Sequence, residues 1–221
     1  LALAAFSVAP AAADPDGQHG GDEGHLIGTG EFGKIDLLDV VDLTDTPDLI
    51  ADVTVSPDGD TAFLANWGEP DCAGPETGGQ TSPDAGAYVI DISDIESDPD
   101  SAELVGFIPS HQDTRPGEGM QVVEITTSQF SGDVLVMNNE ACGKNAKGGV
   151  SLWDVTDPLK PKRLSEHFGD RSPGSTDANE IHSAFAWDAG DRAYVVLTDN
   201  EEFPDVDILD ITNPHRPRLI A

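Results

Sequence analysis

Basic residues are scarce in this 221-residue chain: eleven Lys and Arg stand against forty-two Asp and Glu, for a net charge of −31. A surface with that balance repels nucleic acid and anionic lipid, which excludes a phosphate-backbone footprint on DNA, RNA or a membrane. Long apolar runs are missing too. The first thirteen residues, LALAAFSVAPAAA, fall short of the about 20 needed to cross ~30 Å of hydrocarbon, and no later stretch comes close. They match the remnant of a secretory signal, with Ala11-Ala12-Ala13 as its cleavage site before Asp14, so a secreted, extracellular or cell-surface location is expected. Only two cysteines occur, Cys72 and Cys142, and no C-x-x-C pair. In an oxidising compartment they favour one disulfide over a thiol site. No G-x-S-x-G elbow, H-E-x-x-H helix, P-loop or D-x-[DN]-x-[DN]-G loop is present, so the familiar signatures of several hydrolases, nucleotide binders and EF-hands are absent. The acidity is spread along the chain, as on a solvated surface; carboxylates that bind a divalent cation such as Ca²⁺ are the second explanation.

What the chain does contain is a repeat. One phrase occurs three times, GAYVIDISD (86–94), GVSLWDVTDP (149–158) and DVDILDITNP (205–214), each a β-branched run ending in a polar turn. A second phrase precedes each copy: SPDGDTAFLAN (56–66), FSGDVLVMNNE (130–140) and DAGDRAYVVLTDNEE (188–202), in which a Gly-Asp pair opens an apolar strand and is expected to mark a hairpin turn. Adding the strands ADVTV, MQVVEI and IHSAFAW before, and ELVGFI, KRLSEHF and PRLIA after, gives units of four short antiparallel strands at about 51–108, 119–168 and 181–221. Four-stranded units in tandem, with little helical periodicity, predict an all-β fold, a β-propeller whose first strands line a central channel. Three blades are readable, the ring is incomplete in this fragment, and additional domains C-terminal to it are allowed for. A preceding strand is expected at about 33–40, and residues 14–32, rich in Gly and Asp, as a flexible tail.

The phrases AYVIDISD, VSLWDVTDP and VDILDITNP resemble LVIVD repeats, a family of bacterial and archaeal β-propeller repeats found mostly in exported or surface proteins. The resemblance spans about 33–221 and implies a propeller in an extracellular or cell-wall setting; the family carries no single activity. A more distant similarity is to the propellers of selenium-binding-protein-like methanethiol oxidases, which hold a metal through channel histidines, whereas this chain has one histidine at the start of a first strand.

In a propeller the long loops, between second and third strands and between units, share one face. Cys72 and Cys142 lie in neighbouring loops of that face and are expected to pair; closing about 70 residues would contribute about 4 kcal/mol on the chain-entropy account. Aligning the first strands sets Asp52, Gln121 and His182 at one position near the channel mouth, with Glu118 and Glu180 just upstream. The ends of the second strands add Asn139, Glu140, Asp199 and Glu201. Such carboxylates, amides and one imidazole offer lone pairs to a divalent cation or a polar ligand, and the same residue types also satisfy strand-end backbone groups. His182 with Glu180 is the metal-ligand pair of choice, although zinc takes three or four protein ligands; a His–carboxylate pair that pins the strand is the structural counterpart. No catalytic residue is assigned. The expected function is a non-enzymatic exported binding or scaffold module that meets a protein, glycan or cell-wall partner on its long-loop face. The alternative is a metal-dependent enzyme with His182 and Glu180 at the channel mouth.

Overall fold

A computed structural model of the chain describes residues 31–32, 35–43, 49–68, 85–110, 114–141, 148–169, 181–198 and 206–221. The signal remnant and most of the tail, together with Cys72, Cys142, Glu180, Asp199 and Glu201, lie outside the described residues. The described residues contain no helix and fall into two units, 1–37 and 38–221. The first holds a two-stranded hairpin, β1 (Glu31–Phe32) with β2 (Ile35–Asp36). Among the described residues of the expected 33–40 strand, only Ile35–Asp36 pairs, and it pairs within this hairpin.

The second unit is built from three antiparallel sheets. Sheet I runs β3 (Ile50–Val55), β4 (Thr61–Asn66), β5 (Gly86–Asp91), β6 (Glu103–Pro109). After the short β7 (Thr114–Arg115), sheet II runs β8 (Gln121–Thr126), β9 (Ser131–Ala141), β10 (Gly149–Asp154), β11 (Lys162–Phe168). Sheet III runs β12 (Ser183–Asp188), β13 (Ala193–Thr198), β14 (Val206–Asp210), β15 (Arg218–Leu219). Each is a meander in sequence order, as the repeat predicts. Residues 38–39 lie beside sheet I, where Leu38 O accepts from the Asp100 N–H and Asp39 Oδ2 from the Ala102 N–H.

The aspartate that ends each repeat has a local cause. Asp91, Asp154 and Asp210 each accept, through Oδ1, the backbone N–H two residues on, from Ser93 (2.9 Å), Thr156 (3.1 Å) and Thr212 (3.0 Å). These Asx turns stop the third strand and aim the chain back. The residue directly after each aspartate is anchored as well, since Ile92, Val155 and Ile211 donate to the carbonyls of Asp60, Asp133 and Ala193. The three units are therefore in a common register that runs Asp60, Asp133, Ala193.

In that register Gly59-Asp60 and Gly132-Asp133 are equivalent, whereas Gly190-Asp191 lies two residues earlier. The closing bonds Thr127 N–H to Phe130 O and Ala189 N–H to Arg192 O leave two-residue turns, and Ser56 N–H to Thr61 O leaves a longer one. Gly59-Asp60 and Gly190-Asp191 sit in turns, whereas Gly132-Asp133 is inside β9, opposite Ile125 and Glu124. The turn expected there is formed by Ser128 and Gln129 instead, because Thr126 and Ser131 extend the ladder.

The sheets are joined through their first strands. Asp52 Oδ2 accepts from Gly119 N–H (2.6 Å) and Met120 N–H (2.8 Å), and Thr54 Oγ1 accepts from Val122 N–H (3.0 Å). One sheet further on, Gln121 Oε1 accepts from Ala186 N–H (2.8 Å) and Asp188 Oδ2 from Thr126 N–H (2.9 Å). Between these seams lie two apolar layers. Leu135 and Met137 of β9 face Phe63, Val89 and Ile108 of sheet I, while Val134 and Val136 face Val195, Leu197 and Leu209 of sheet III. A strand buried on both faces needs an uninterrupted apolar run, which VLVM supplies. Each such side chain contributes about 1.5–3 kcal/mol by leaving water.

Replacing Asp52 with Ala leaves two backbone donors of sheet II without their acceptor and is expected to cost about 1–3 kcal/mol in urea unfolding. Asp52→Asn, which keeps an accepting oxygen, should lose clearly less; equal losses would contradict this role. A second outcome concerns pH. The Ser93 hydroxyl and amide hold the Asp91 carboxyl below its usual range. Burial acts to raise Asp210, but the Thr212 hydroxyl and amide and the Arg218 guanidinium outweigh it and hold that carboxyl low as well. Lowered folded values stabilise above the unfolded carboxylate pKa of about 3.9 and lose that contribution as pH falls below it. The stability gap between wild type and Asp210→Asn should therefore be widest near pH 7 and shrink below about pH 4; a gap that widens on acidification would refute the assignment.

Candidate functional site

At the long-loop end of sheets II and III, charged side chains converge from four segments. The short β7 pairs with the end of β9 in the register Thr114 with Ala141 and Arg115 with Glu140. This puts the Arg115 guanidinium beside a carboxylate that is only 8% exposed, with Nε 3.2 Å from Glu140 Oε2. The same guanidinium lies over the Trp67 ring, 5.6 Å from its centroid, where the ring's negative face attracts it. The second oxygen of Glu140 accepts from His182 Nδ1 at 3.0 Å. The far side of the imidazole faces Glu118, its Nε2 being 3.6 Å from Glu118 Oε2. Since a carboxylate only accepts, the Nδ1 position carries the hydrogen.

The backbone around the cluster is held by two asparagines. Asn138 donates from Nδ2 to the carbonyls of Ile181 (3.1 Å) and His182 (2.7 Å), fixing the entry to β12. Buried Asn139 accepts from the Thr114 hydroxyl (3.2 Å) and donates to Ser151 Oγ (3.1 Å), while its carbonyl accepts from Ile181 N–H. Gly117 closes the cluster from above. A Cβ there would stand 2.7 Å from Glu140 Oε1 and 2.9 Å from Asn138 Nδ2, so any larger residue would force these side chains to shift.

Glu118, Glu140 and His182 thus come together, with Asn139 behind them. Asp52 and Gln121 do not join them; both are engaged in the seams between sheets. The expected alignment of Asp52, Gln121 and His182 at one position does not hold. Counting from the common register and the pairings of β3, β8 and β12, Thr54, Gln121 and Phe185 are equivalent, as are Asp52, Gly119 and Ser183. The cause is the differing length of the hairpins between equivalent paired residues, Thr54 with Phe63, Gln121 with Val136 and Phe185 with Val196, together with a register shift in β3 between Ile50 and Asp52. Among the described residues no group of three His, Cys, Asp or Glu is placed to hold a metal ion. His182 Nε2 and Glu118 offer two donors, short of the three or four of a zinc site. Trp153 packs on the core between sheets I and II, and Trp187 stacks between Phe185 and Tyr194.

Arg115 and Asn138 are the residues that sequence reasoning missed. A lone arginine in an acidic loop, HQDTRPGEG, was the available signal for the first. No family model matches the chain, and no curated protein matches it either.

Chemically, both oxygens of Glu140 and one nitrogen of His182 are occupied within the cluster, which makes Glu140 a fixed internal anion and leaves Glu118, 56% exposed, as its open edge. A double-mutant cycle of Glu140→Gln and His182→Ala should show a coupling energy of about 0.5–3 kcal/mol in chemical unfolding. Additive losses would mean that the two side chains do not support each other.

Proposed function

We propose that this chain is an exported β-propeller module of LVIVD-repeat type that binds a partner at or outside the cell surface without transforming it. The observation that carries this is the occupation of the polar side chains at the long-loop end: Glu140 is held by Arg115 and His182, and Asn138 and Asn139 serve the backbone. What they support is a rigid, partly exposed rim of Trp67, Arg115, Glu118 and His182, suited to contact rather than to proton or electron traffic. The propeller itself is supported by the way each first strand hands a side-chain acceptor to the first strand of the next sheet. It is also supported by the apolar face that sheet III presents on its far side, where Phe185 is 60% and Trp187 36% exposed. In a ring, that face packs on a further four-stranded blade.

One observation favours the metal-dependent alternative. A histidine whose Nδ1 is tied to a buried carboxylate presents Nε2 in the manner of metal-ligating histidines, and Glu180 lies two residues upstream, outside the described residues. The two are separated by equilibrium dialysis of the whole chain against Zn²⁺ and Mn²⁺. The binding-module function predicts no stoichiometric uptake that depends on His182, and one metal per chain lost in His182→Ala would overturn it. In parallel, co-sedimentation with isolated cell-wall material should weaken by about tenfold, some 1.4 kcal/mol, in Arg115→Ala. Retention of full binding would remove this rim from the contact surface.

A further inference from the structure

At the opposite, short-turn end of the same sheets lies a cavity of about 530 Å³, lined by Ser128, Gln129, Asp191, Arg192, Asp210, Thr212, Asn213, Arg216 and Arg218. Its walls are the β8–β9 turn of sheet II and both turns of sheet III. In a chain with eleven basic residues and a net charge of −31, three arginines meeting in one cavity make it a local reversal of the field that the rest of the surface sets up. A small anion meets a local excess of positive charge here.

The arginines are not all neutralised. Arg218 Nη2 donates to Asp210 Oδ2 at 2.6 Å and Arg192 Nη1 approaches the same oxygen at 3.5 Å, so one carboxylate serves two guanidinium groups. That carboxylate is 3% exposed and stays ionised, since Thr212 and Arg218 hold its pKa low against the effect of burial. It orients Arg218 and, among the described residues, leaves most of both forks without a further ion pair. Arg216 makes no salt bridge among the described residues. Counting Asp191 and Asp210 against the three arginines leaves one net positive charge within the cavity.

The repeat provides an internal comparison. Register equivalence sets Lys162 at the place of Arg218 and Asp154 at that of Asp210. There Lys160 is paired with Asp157, and the seam with sheet I is acidic: burial, followed by the charges of Glu124, Asp58 and Asp154, pushes the Asp133 carboxyl up. The same fold element is thus acidic at one seam and arginine-rich at the next. Guanidinium forks match the spacing of two oxygens on one phosphorus or sulfur, which lysine does not.

We propose that this cavity binds a phosphate or sulfate ester of a sugar or polyol, with Arg192, Arg216 and Arg218 on the oxyanion. Its volume exceeds that of a bare oxyanion and falls in the range of small-molecule pockets, roughly 300–1,000 Å³. Ser128, Gln129, Asn213 and Asp191 supply donors and acceptors for the ester's hydroxyl groups.

The test is calorimetric titration of the whole chain with a hexose phosphate, the parent hexose and inorganic phosphate, at constant ionic strength. Saturable binding of the ester with a Kd at or below about 1 mM is expected, with the hexose silent and inorganic phosphate weaker. Arg216→Gln, whose side chain joins no ion pair among the described residues, should weaken the ester about tenfold at an unchanged melting temperature. Arg192→Gln should act in the same direction. No saturable binding, or binding that both variants retain in full, would overturn the site. Equal affinity for inorganic phosphate and the ester would overturn the ester assignment and leave a free-ion site.

Discussion

The structure rests on an acceptor passed from one first strand to the next. Asp52 and Thr54 of β3 satisfy three backbone donors of sheet II, and Gln121 of β8 satisfies one of sheet III. Backbone N–H groups on the facing edge of a first strand have no ladder partner, and leaving them buried and unpaired costs about 1–3 kcal/mol each. A side chain that reaches across a seam removes this cost and also fixes how far one sheet can slide on its neighbour. The apolar layers on either side of β9 supply most of the cohesion, but they are non-directional. The directional bonds determine which residues meet at the two ends of the sheets.

Both ends follow from that register. At the long-loop end, the late start of β12 puts His182 one residue before the strand, within reach of Glu140 at the end of the eleven-residue β9. At the other end, the same placement brings the turn after β12 and the turn after β14 against Ser128 and Gln129, enclosing three arginines. The two clusters use charge in opposite ways. Glu140 is an anion held between the Arg115 guanidinium and the His182 imidazole and serves the fold, whereas Asp210 is shared between two guanidinium groups and leaves positive charge to spare.

Much of the fold is legible in the sequence because its determinants are local. At the end of each third strand an aspartate two residues before a serine or threonine makes an Asx turn, and three copies mark three units. The double-faced burial of β9 is visible in its unbroken apolar run. What escapes sequence reading is set by tertiary contact. β7 is two residues long, has no periodicity, and exists only because β9 continues beyond β8; Arg115 enters the site with it. The equivalence of first strands is hidden for a related reason. The phrases ADVTV, MQVVEI and IHSAFAW mark where each first strand begins but not how far its hairpin runs, so aligning their starts sets Asp52, Gln121 and His182 together although they hold different register positions; Glu118, Glu140 and His182 meet near the ends of their strands.

The central claim, that seam bonds make the three sheets one cooperative body, is tested most directly by native-state hydrogen exchange of the amides of Gly119, Met120, Val122 and Ala186. The account predicts that all four exchange only through global unfolding, with the same dependence on denaturant as the amides of β9. Exchange of the Ala186 amide, together with the rest of sheet III, in a separate opening of lower free energy would contradict it.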